Sequence, residues 1–245
     1  MRRVSTGKWT KYKMMSKEPR LSSFLPDTQY LNRNSLTNML DKYNQIMVKP
    51  CFGYQGKGII QITKLNDVDF ELYIDDRKIM IDGKEDIYDY LKENHFPQKS
   101  QSYIVQKRIP LARIKNNPFD IRVMVQRKKH SSKWVITGKL AKVAANNYVV
   151  TNVAKDILSI EDAIESSAIN NKQISDIIAN IDQVSILIAN QLAKYYRKKR
   201  VYGIDLGIDQ VGKVWIIEAN LTPAISMFKL LNDGSYETIK NYKKR

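Results

Sequence analysis

The sequence predicts an α+β fold of two lobes enclosing one cleft, and three observations predict it. Short alternating apolar runs separated by turn residues fill residues 46–144, as a succession of antiparallel hairpins would. The period then changes over residues 160–199, where Ile174, Ile177, Ile178, Ile181, Val184, Ile188 and Leu192 recur at spacings of three and four, the mark of one helix face on a core. Finally VYGIDLGIDQVGKVWIIEAN returns to two strands about Asp209-Gln210-Val211-Gly212, a turn with a glycine at its end.

Taken in order, residues 1–30 are polar with interspersed aromatics, and residues 35–43 carry Leu36, Met39, Leu40 and Tyr43 at helical spacing. Residues 46–49 and 58–63 read as strands around a glycine loop. ELYIDD and RKIMIDG are two β-rich runs split by the turn-prone Asp75-Asp76. Residues 87–93 look helical and 103–108 alternate as a strand, while 119–127 and 134–144 pair across KKHSSK. The long helix ends in Tyr195-Tyr196-Arg197-Lys198-Lys199-Arg200, cations that suit the negative end of its dipole. No internal repeat or low-complexity linker interrupts the chain.

Composition bounds the function. A chain of 245 residues with 43% hydrophobic content can build one large or two small domains. No apolar run approaches the ~20 residues of a membrane span. The N-terminus MRRVSTGKWTKYKMM is basic but lacks an apolar h-region, so a cytoplasmic protein is expected. The single Cys51 excludes an intramolecular disulfide and reads as a packing residue. Lys and Arg number 41 against 25 acidic residues, and the resulting +16 draws phosphates, acidic polymers or acidic protein surfaces. The basic clusters Arg127-Lys128-Lys129-His130, Arg197-Lys198-Lys199-Arg200 and Lys243-Lys244-Arg245 are short, scattered and free of interleaved aromatics. They read as solvated surface rather than as a nucleic-acid platform.

Two stretches carry chemistry. In the last hairpin Asp205 lies thirteen residues before Glu218, so the strands bring them side by side, and Glu218 and Asn220 share a face. Two carboxylates and an amide oxygen make a hard, all-oxygen set suited to magnesium on nucleotide phosphates. Glu218 interrupts the apolar strand VWIIEAN, where an unpaired carboxylate is costly. In IMVKPCFGYQGKGIIQITK, Lys49 ends a strand, and Gly53, Gly56 and Gly58 form a loop whose amides can fold over phosphate oxygens. It is neither a Walker A sequence, which places the lysine after the glycines, nor a dinucleotide fingerprint, which is followed by a helix. His95 and His130 sit in polar, lysine-bearing stretches and are read as exposed bystanders.

A strand lysine, a glycine-rich hairpin, the strand Phe119-Asp120-Ile121-Arg122 and a terminal Asp…Glu-x-Asn hairpin, in this order, resemble the ATP-grasp fold, and in detail the YheC/YheD family of endospore coat-associated proteins. The resemblance runs from Lys8-Trp9 and Leu25-Pro26-Asp27-Thr28 through Val48-Lys49-Pro50, Gln106, Val150-Thr151-Asn152 and Gly203-Ile204-Asp205 to Glu218-Ala219-Asn220. It implies one ATP-grasp domain over residues 1–245, with a small glycine-loop lobe at about 35–105 and a larger metal-binding lobe from 1–34 and 106–245. The usual extra N-terminal domain is expected to be missing, which leaves the acceptor site open or shared.

The resemblance also implies roles. Lys49 contacts the α- and β-phosphates or adenine, and the loop of Gly53, Gly56 and Gly58 covers the phosphates. Gln106, Lys107 and Ile109 line adenine, largely through backbone groups, and Asn152 joins the nucleotide site. Lys8, or else Lys11, stands for the first ATP-contacting lysine. Arg122 faces the γ-phosphate or an acyl phosphate, with Lys142 as the second catalytic cation where the family commonly has arginine. Asp205, Glu218 and Asn220 hold Mg2+. The implied activity is an ATP- and Mg-dependent carboxylate–amine ligase, and the basic surface favours an acidic peptide or protein substrate. Catalysis of this kind is positioning and charge neutralisation, so the lack of a nucleophilic triad is no objection. A spore-associated location follows from the family. Val153-Ala154-Lys155-Asp156 stands where the family tends to carry Gly-Gly, which favours a rival reading as a structural nucleotide-binding protein without turnover. A kinase for a polyanionic small molecule is the third.

Overall fold

The computed structural model of the chain describes residues 4–53, 56–74, 77–96, 101–145, 154–170 and 173–244. Asp75-Asp76, Val150-Thr151-Asn152 and Val153 lie outside the described residues. The chain is α+β, with two antiparallel sheets in two compact units. One unit is formed by Lys13–Leu25 with Ile109–Arg245, the other by Ser5–Tyr12 with Pro26–Arg108.

The second of these units is built on six strands: β1 (Thr28–Tyr30), β2 (Gln45–Pro50), β3 (Ile60–Lys64), β4 (Asp69–Ile74), β5 (Arg77–Asp82) and β6 (Tyr103–Lys107), in the order β1-β6-β2-β3-β4-β5. Helix α1 (Lys8–Met15) is tied to the end of β2 by the Lys8 amide, which donates to the Cys51 carbonyl at 2.8 Å. Helix α2 (Arg33–Lys42) starts at a reciprocal cap: the Asn32 carboxamide accepts from the Ser35 amide, and the Ser35 hydroxyl accepts from the Asn32 amide. Its Leu36, Met39 and Leu40 pack with Ile87 and Leu91 of α3 (Lys84–Asn94) onto Ile46, Val48, Ile62 and Leu72 of the sheet. Cys51 is buried, as a packing residue should be.

The other unit has the two-residue strand β7 (Arg113–Ile114), then β8 (Asn117–Gln126), β9 (Val135–Ala144), β10 (Ala154–Leu158), β11 (Val201–Ile208) and β12 (Val214–Asn220). Its sheet order is β10-β9-β8-β11-β12, with β7 beside β8. The helical stretch of residues 160–199 divides into α4 (Ile160–Glu165) and α5 (Ile174–Ala193). Between them the Ser167 hydroxyl donates to the Ile164 carbonyl at 2.7 Å and accepts from the Ile169 amide at 3.2 Å, local bonds that compete with the helix, and Ser167 pairs as an isolated bridge with Ile114.

Ile177, Ile181, Val184, Ile188 and Leu192 of α5 cover one face of this sheet, against Phe119, Ile121, Val123 and Val125 of β8. The alternate residues of β8 point to the opposite face. There Met124 meets Leu140, Phe228 of a 3-10 turn (Ser226–Lys229) and Ile239 of α6 (Ser235–Lys244). The C-terminal elements therefore cover that face at Met124.

Candidate functional site

Four neighbouring strands assemble a charged array on the sheet of the larger unit. Asp120 and Arg122 are two apart on β8 and share a face; Asp120 pairs in register with Lys142 of β9, and Arg122 with Asp205 of β11. Arg122 grips Asp205 as a fork: Nε donates to Oδ1, and Nη2 donates to Oδ2 at 3.0 Å. The Asn220 amide of β12 donates to the same Oδ2 at 2.8 Å. Lys142 Nζ lies 3.0 Å from Asp120 Oδ1 and 3.7 Å from Asp205 Oδ1.

All four charged residues are at most 9% exposed, so their charges are sustained by one another rather than by water. Burial opposes the Lys142 charge, but Asp120 and then Asp205 outweigh it and raise its pKa. Burial likewise opposes Arg122, which Asp205 holds charged with help from Asp120 and Glu218. Burial alone would push the Asp205 carboxyl up; Lys142, Arg122 and the Asn220 amide bring it below the usual carboxylate range.

Gly203 makes room for this arrangement. It pairs with Asn220, and a Cβ there would come within 2.5 Å of Pro223 Cβ and 3.5 Å of Arg122 Cδ. Glu218 pairs directly with Asp205 across the hairpin, at a bulge in the register, and its charge acts on Arg122. The turn beyond is fixed by Asp209, whose Oδ1 accepts from the Val211 and Lys213 amides and whose Oδ2 accepts from Trp215 Nε1 at 2.8 Å.

The donor set Asp205, Glu218 and Asn220 is all oxygen, and its chemistry fits a hard cation. Among the described residues no three of His, Cys, Asp and Glu form a group able to hold a metal. Both Asp205 oxygens accept from Arg122, and Oδ2 also from Asn220, so a cation at this set would share the Asp205 carboxylate with the arginine and draw its remaining ligands from water or phosphate oxygens, as is usual for magnesium.

The smaller unit carries a second polar set. Lys49 Nζ donates to Gln106 Oε1 at 2.6 Å, Gln106 Nε2 donates to Thr28 Oγ1 at 2.8 Å, and Thr28 Oγ1 donates to the Pro26 carbonyl at 2.8 Å. The chain of donors runs one way, which fixes the orientation of the Gln106 amide. Lys107 turns to the opposite face, its Nζ 5.3 Å from the centre of the Tyr43 ring, and its amide donates to the Asp27 carbonyl at 2.9 Å. Asp27 accepts in turn from Lys42 Nζ at 2.6 Å and Tyr43 Oη at 2.9 Å. In the glycine loop Gly56 and Gly58 hold φ of 68° and 72°, left-handed values that glycine adopts without a steric penalty.

The structure thus joins Arg122, Lys142, Asp205 and Asn220 directly, sets Glu218 at the paired position, and joins Lys49 to Gln106. Lys8 lies at the start of α1 in the smaller unit. Ile109 belongs to the larger one, where it packs near Gly207. Asn152 lies outside the described residues.

A family model, the YheC/D like ATP-grasp, matches residues 2–244. The chain belongs to this family. The YheC/D-like chain is 25% identical over 226 residues to the endospore coat-associated protein YheD of Bacillus subtilis (strain 168), covering 91% of this chain and 49% of YheD. It therefore spans about half the length of that relative. Among solved structures it is similar to the C-terminal domain of K. lactis Pby1, an ATP-grasp enzyme, with a TM-score of 0.57 at 14% identity over 94% of this chain and 67% of that one. It is also similar to N5-carboxyaminoimidazole synthetase of Staphylococcus aureus complexed with ADP, with a TM-score of 0.55 at 10% identity over 90% of this chain and 46% of that one. At such identities the likeness shows the ATP-grasp fold.

Two residues that sequence reasoning left without a role belong to these sets. Asp120 is the nearest acid to Lys142, and Thr28 anchors Gln106. The visible signal for Asp120 was an acid flanked by the apolar Phe119 and Ile121 in its strand, the same kind of signal that singled out Glu218.

Proposed function

We propose that this YheC/D-like chain binds ATP with magnesium and joins a carboxylate to an amine, with ADP and phosphate as the other products. The observation that carries the reading is the buried array of Arg122, Lys142 and Asp205 beside Asn220 and Glu218. Family membership supports it, as does the bound ADP of the S. aureus synthetase of similar fold.

In this reading a carboxylate oxygen of the acceptor attacks the terminal phosphorus, the bond to the ADP oxygen breaks, and an acyl phosphate forms. The amine then attacks the acyl carbon, phosphate leaves, and the amine proton passes to solvent. Arg122 and Lys142 neutralise the charge on the transferring phosphoryl group. Lys49 supplies a point charge to the nucleotide phosphates, its position set by Gln106, and the amides of the Gly53–Gly58 loop close over phosphate oxygens. Asp205, Glu218 and Asn220 would hold magnesium, which when bound draws charge from the phosphate oxygens. The excess of 41 basic over 25 acidic residues favours an acidic peptide or protein as acceptor.

A second reading, nucleotide binding without turnover, is favoured by the segment where the family tends to carry Gly-Gly. Here Ala154, Lys155 and Asp156 are built into β10, paired with β9. Calorimetry of ATP with and without magnesium on the wild type and Glu218→Ala tests the site. Magnesium-dependent binding that the variant loses is expected, and equal binding by both would overturn the assignment. Product analysis then separates the chemistry: an amide with ADP marks a ligase, a stable phosphoester with ADP a kinase, and no substrate-dependent ADP the binding protein.

A further inference from the structure

Two of the basic clusters that are scattered along the sequence, at residues 127–130 and 197–200, do not stay apart. The Arg127 guanidinium donates to the Arg197 carbonyl at 2.6 Å and to the Lys199 carbonyl at 2.9 and 3.1 Å, and the Arg127 amide donates to the Arg200 carbonyl at 3.0 Å. These bonds clamp the turn after β8 onto the segment between α5 and β11. Lys128 Nζ lies 5.9 Å from the centre of the Tyr242 ring, which brings the last turn of α6 to the same end of the unit. RKKHSSK at 127–133 and KYYRKKR at 194–200 contain no acidic residue. Lys128, Lys129, Lys133, Arg197 and Lys198 are exposed, and no acidic side chain pairs with any of them among the described residues. Like charges gathered without counter-ions repel one another, so the cluster costs stability unless a polyanion occupies it.

We propose that this end of the larger unit is a docking surface for an acidic polypeptide. It deepens the acceptor part of the function proposed above, and rests on that reading only in taking the docked chain to be the acceptor. Three observations favour a polypeptide over other polyanions. Arg127, the arginine at the centre, spends its fork on backbone carbonyls, so lysines make up most of the solvent-facing charge, and lysine meets a carboxylate as a point charge without needing bidentate geometry. The aromatic rings on which nucleobases would stack are capped by cations: Arg127 lies 4.8 Å from the centre of the Trp134 ring, and Lys128 covers Tyr242. None of the exposed large hydrophobic side chains belongs to the two segments, so a bilayer would find no apolar anchor there. The surface lies at the far end of β8 from Arg122. The six residue steps from Arg122 to Lys128 span about 20 Å of extended chain, a length that an acidic peptide of similar residue count can follow.

The test is binding of a labelled polyglutamate peptide, without nucleotide, at low and at physiological salt. The wild type is compared with Lys128→Gln/Lys129→Gln/Lys198→Gln and with a control of equal charge loss, Lys78→Gln/Lys92→Gln/Lys115→Gln. The first variant should bind about tenfold more weakly than the wild type, since each exposed pair contributes little alone, while the control binds as the wild type does. The first variant should melt no lower than the wild type, since it relieves like-charge repulsion, and the control should keep the wild-type midpoint, because the exposed pair of Lys78 with Glu71 contributes little. Equal weakening in both variants would assign the binding to bulk charge and overturn the proposal, as would failure of the wild type to bind. Tighter binding of a single-stranded oligonucleotide, or of phosphatidylserine vesicles, would overturn it in favour of that partner. Because no nucleotide is present, loss of polyglutamate binding leaves the ATP reading intact, and loss of ATP binding leaves the docking surface intact.

Discussion

Arg122 and Asp205 stand opposite each other on β8 and β11 and are joined by two hydrogen bonds, with Asn220 completing the shell of the same carboxylate. Both side chains are about one-tenth exposed, so neither charge has water to fall back on. Truncating one partner strands the other. Arg122→Leu is expected to cost about 3 kcal/mol, and the double replacement Arg122→Leu/Asp205→Leu less than either single one, because the uncompensated charge is then gone. Urea unfolding of the three variants checks this; a double variant weaker than both singles would show that the pair stabilises the fold beyond satisfying itself.

The Lys49, Gln106 and Thr28 chain predicts a selective effect on nucleotides. Gln106→Leu removes the acceptor that places the Lys49 ammonium, and about tenfold weaker ADP binding is expected with adenosine binding unchanged, as befits the loss of one charge-assisted hydrogen bond. Thr28→Val leaves the amide in place but free to turn, so its effect should be smaller and of the same kind. Calorimetry with the two ligands decides the matter. Equal weakening for both would mean that Gln106 serves the base or the fold rather than the phosphate lysine.

Gly203 predicts a steric cost next to the site. A Cβ at this position meets Pro223 Cβ at 2.5 Å, and a proline ring has little freedom to retreat. Gly203→Ala should therefore destabilise by about 2 kcal/mol, the usual scale of overpacking. Because Gly203 sits beside Asn220 and the stem of Arg122, magnesium-dependent ATP binding should weaken as well. An unfolding midpoint equal to that of the wild type would show that Pro223 moves freely.

Periodicity revealed the hairpins, α2 and the apolar face of α5, because each carries its pattern within one element. Elements held by few apolar contacts escaped it. Helix α1 is KWTKYKMM, and it buries Lys11 along with Met14 and Met15; α6 is SYETIKNYKK, in which Ile239 is the residue that reaches the core. Strand β10 has Lys155 and Asp156 exposed at its centre, and it owes its conformation to pairing with β9. Within the candidate site, Asp205, Glu218 and Asn220 were legible from one hairpin. The partnership of Asp120 with Lys142 was not, because it depends on the register between β8 and β9. The same holds for the basic clusters: their spacing in sequence says nothing of Arg127 reaching the carbonyls of Arg197 and Lys199.

Tyr202 supplies a prediction about alkaline pH. Its ring packs 4.9 Å from Trp134, and its buried hydroxyl has no hydrogen-bond partner among the described residues. Burial pushes its pKa up, against a smaller lowering by Arg127. A phenol whose folded pKa is raised contributes stability that is fully present below its unfolded pKa of ~10 and is lost as pH rises toward the folded value. Tyr202→Phe removes that contribution, so the fall in stability above about pH 10 should become shallower by up to ~1.4 kcal/mol per pH unit. Tyr12, Tyr103 and Tyr196 are raised too, so part of the slope stays. At neutral pH the variant loses only an unpartnered hydroxyl and should be as stable as the wild type, or more stable by about 1 kcal/mol. Urea titrations from neutral pH upward measure both. An unchanged alkaline slope, or a variant markedly weaker at neutral pH, would mean that the hydroxyl is in fact hydrogen-bonded in the folded protein.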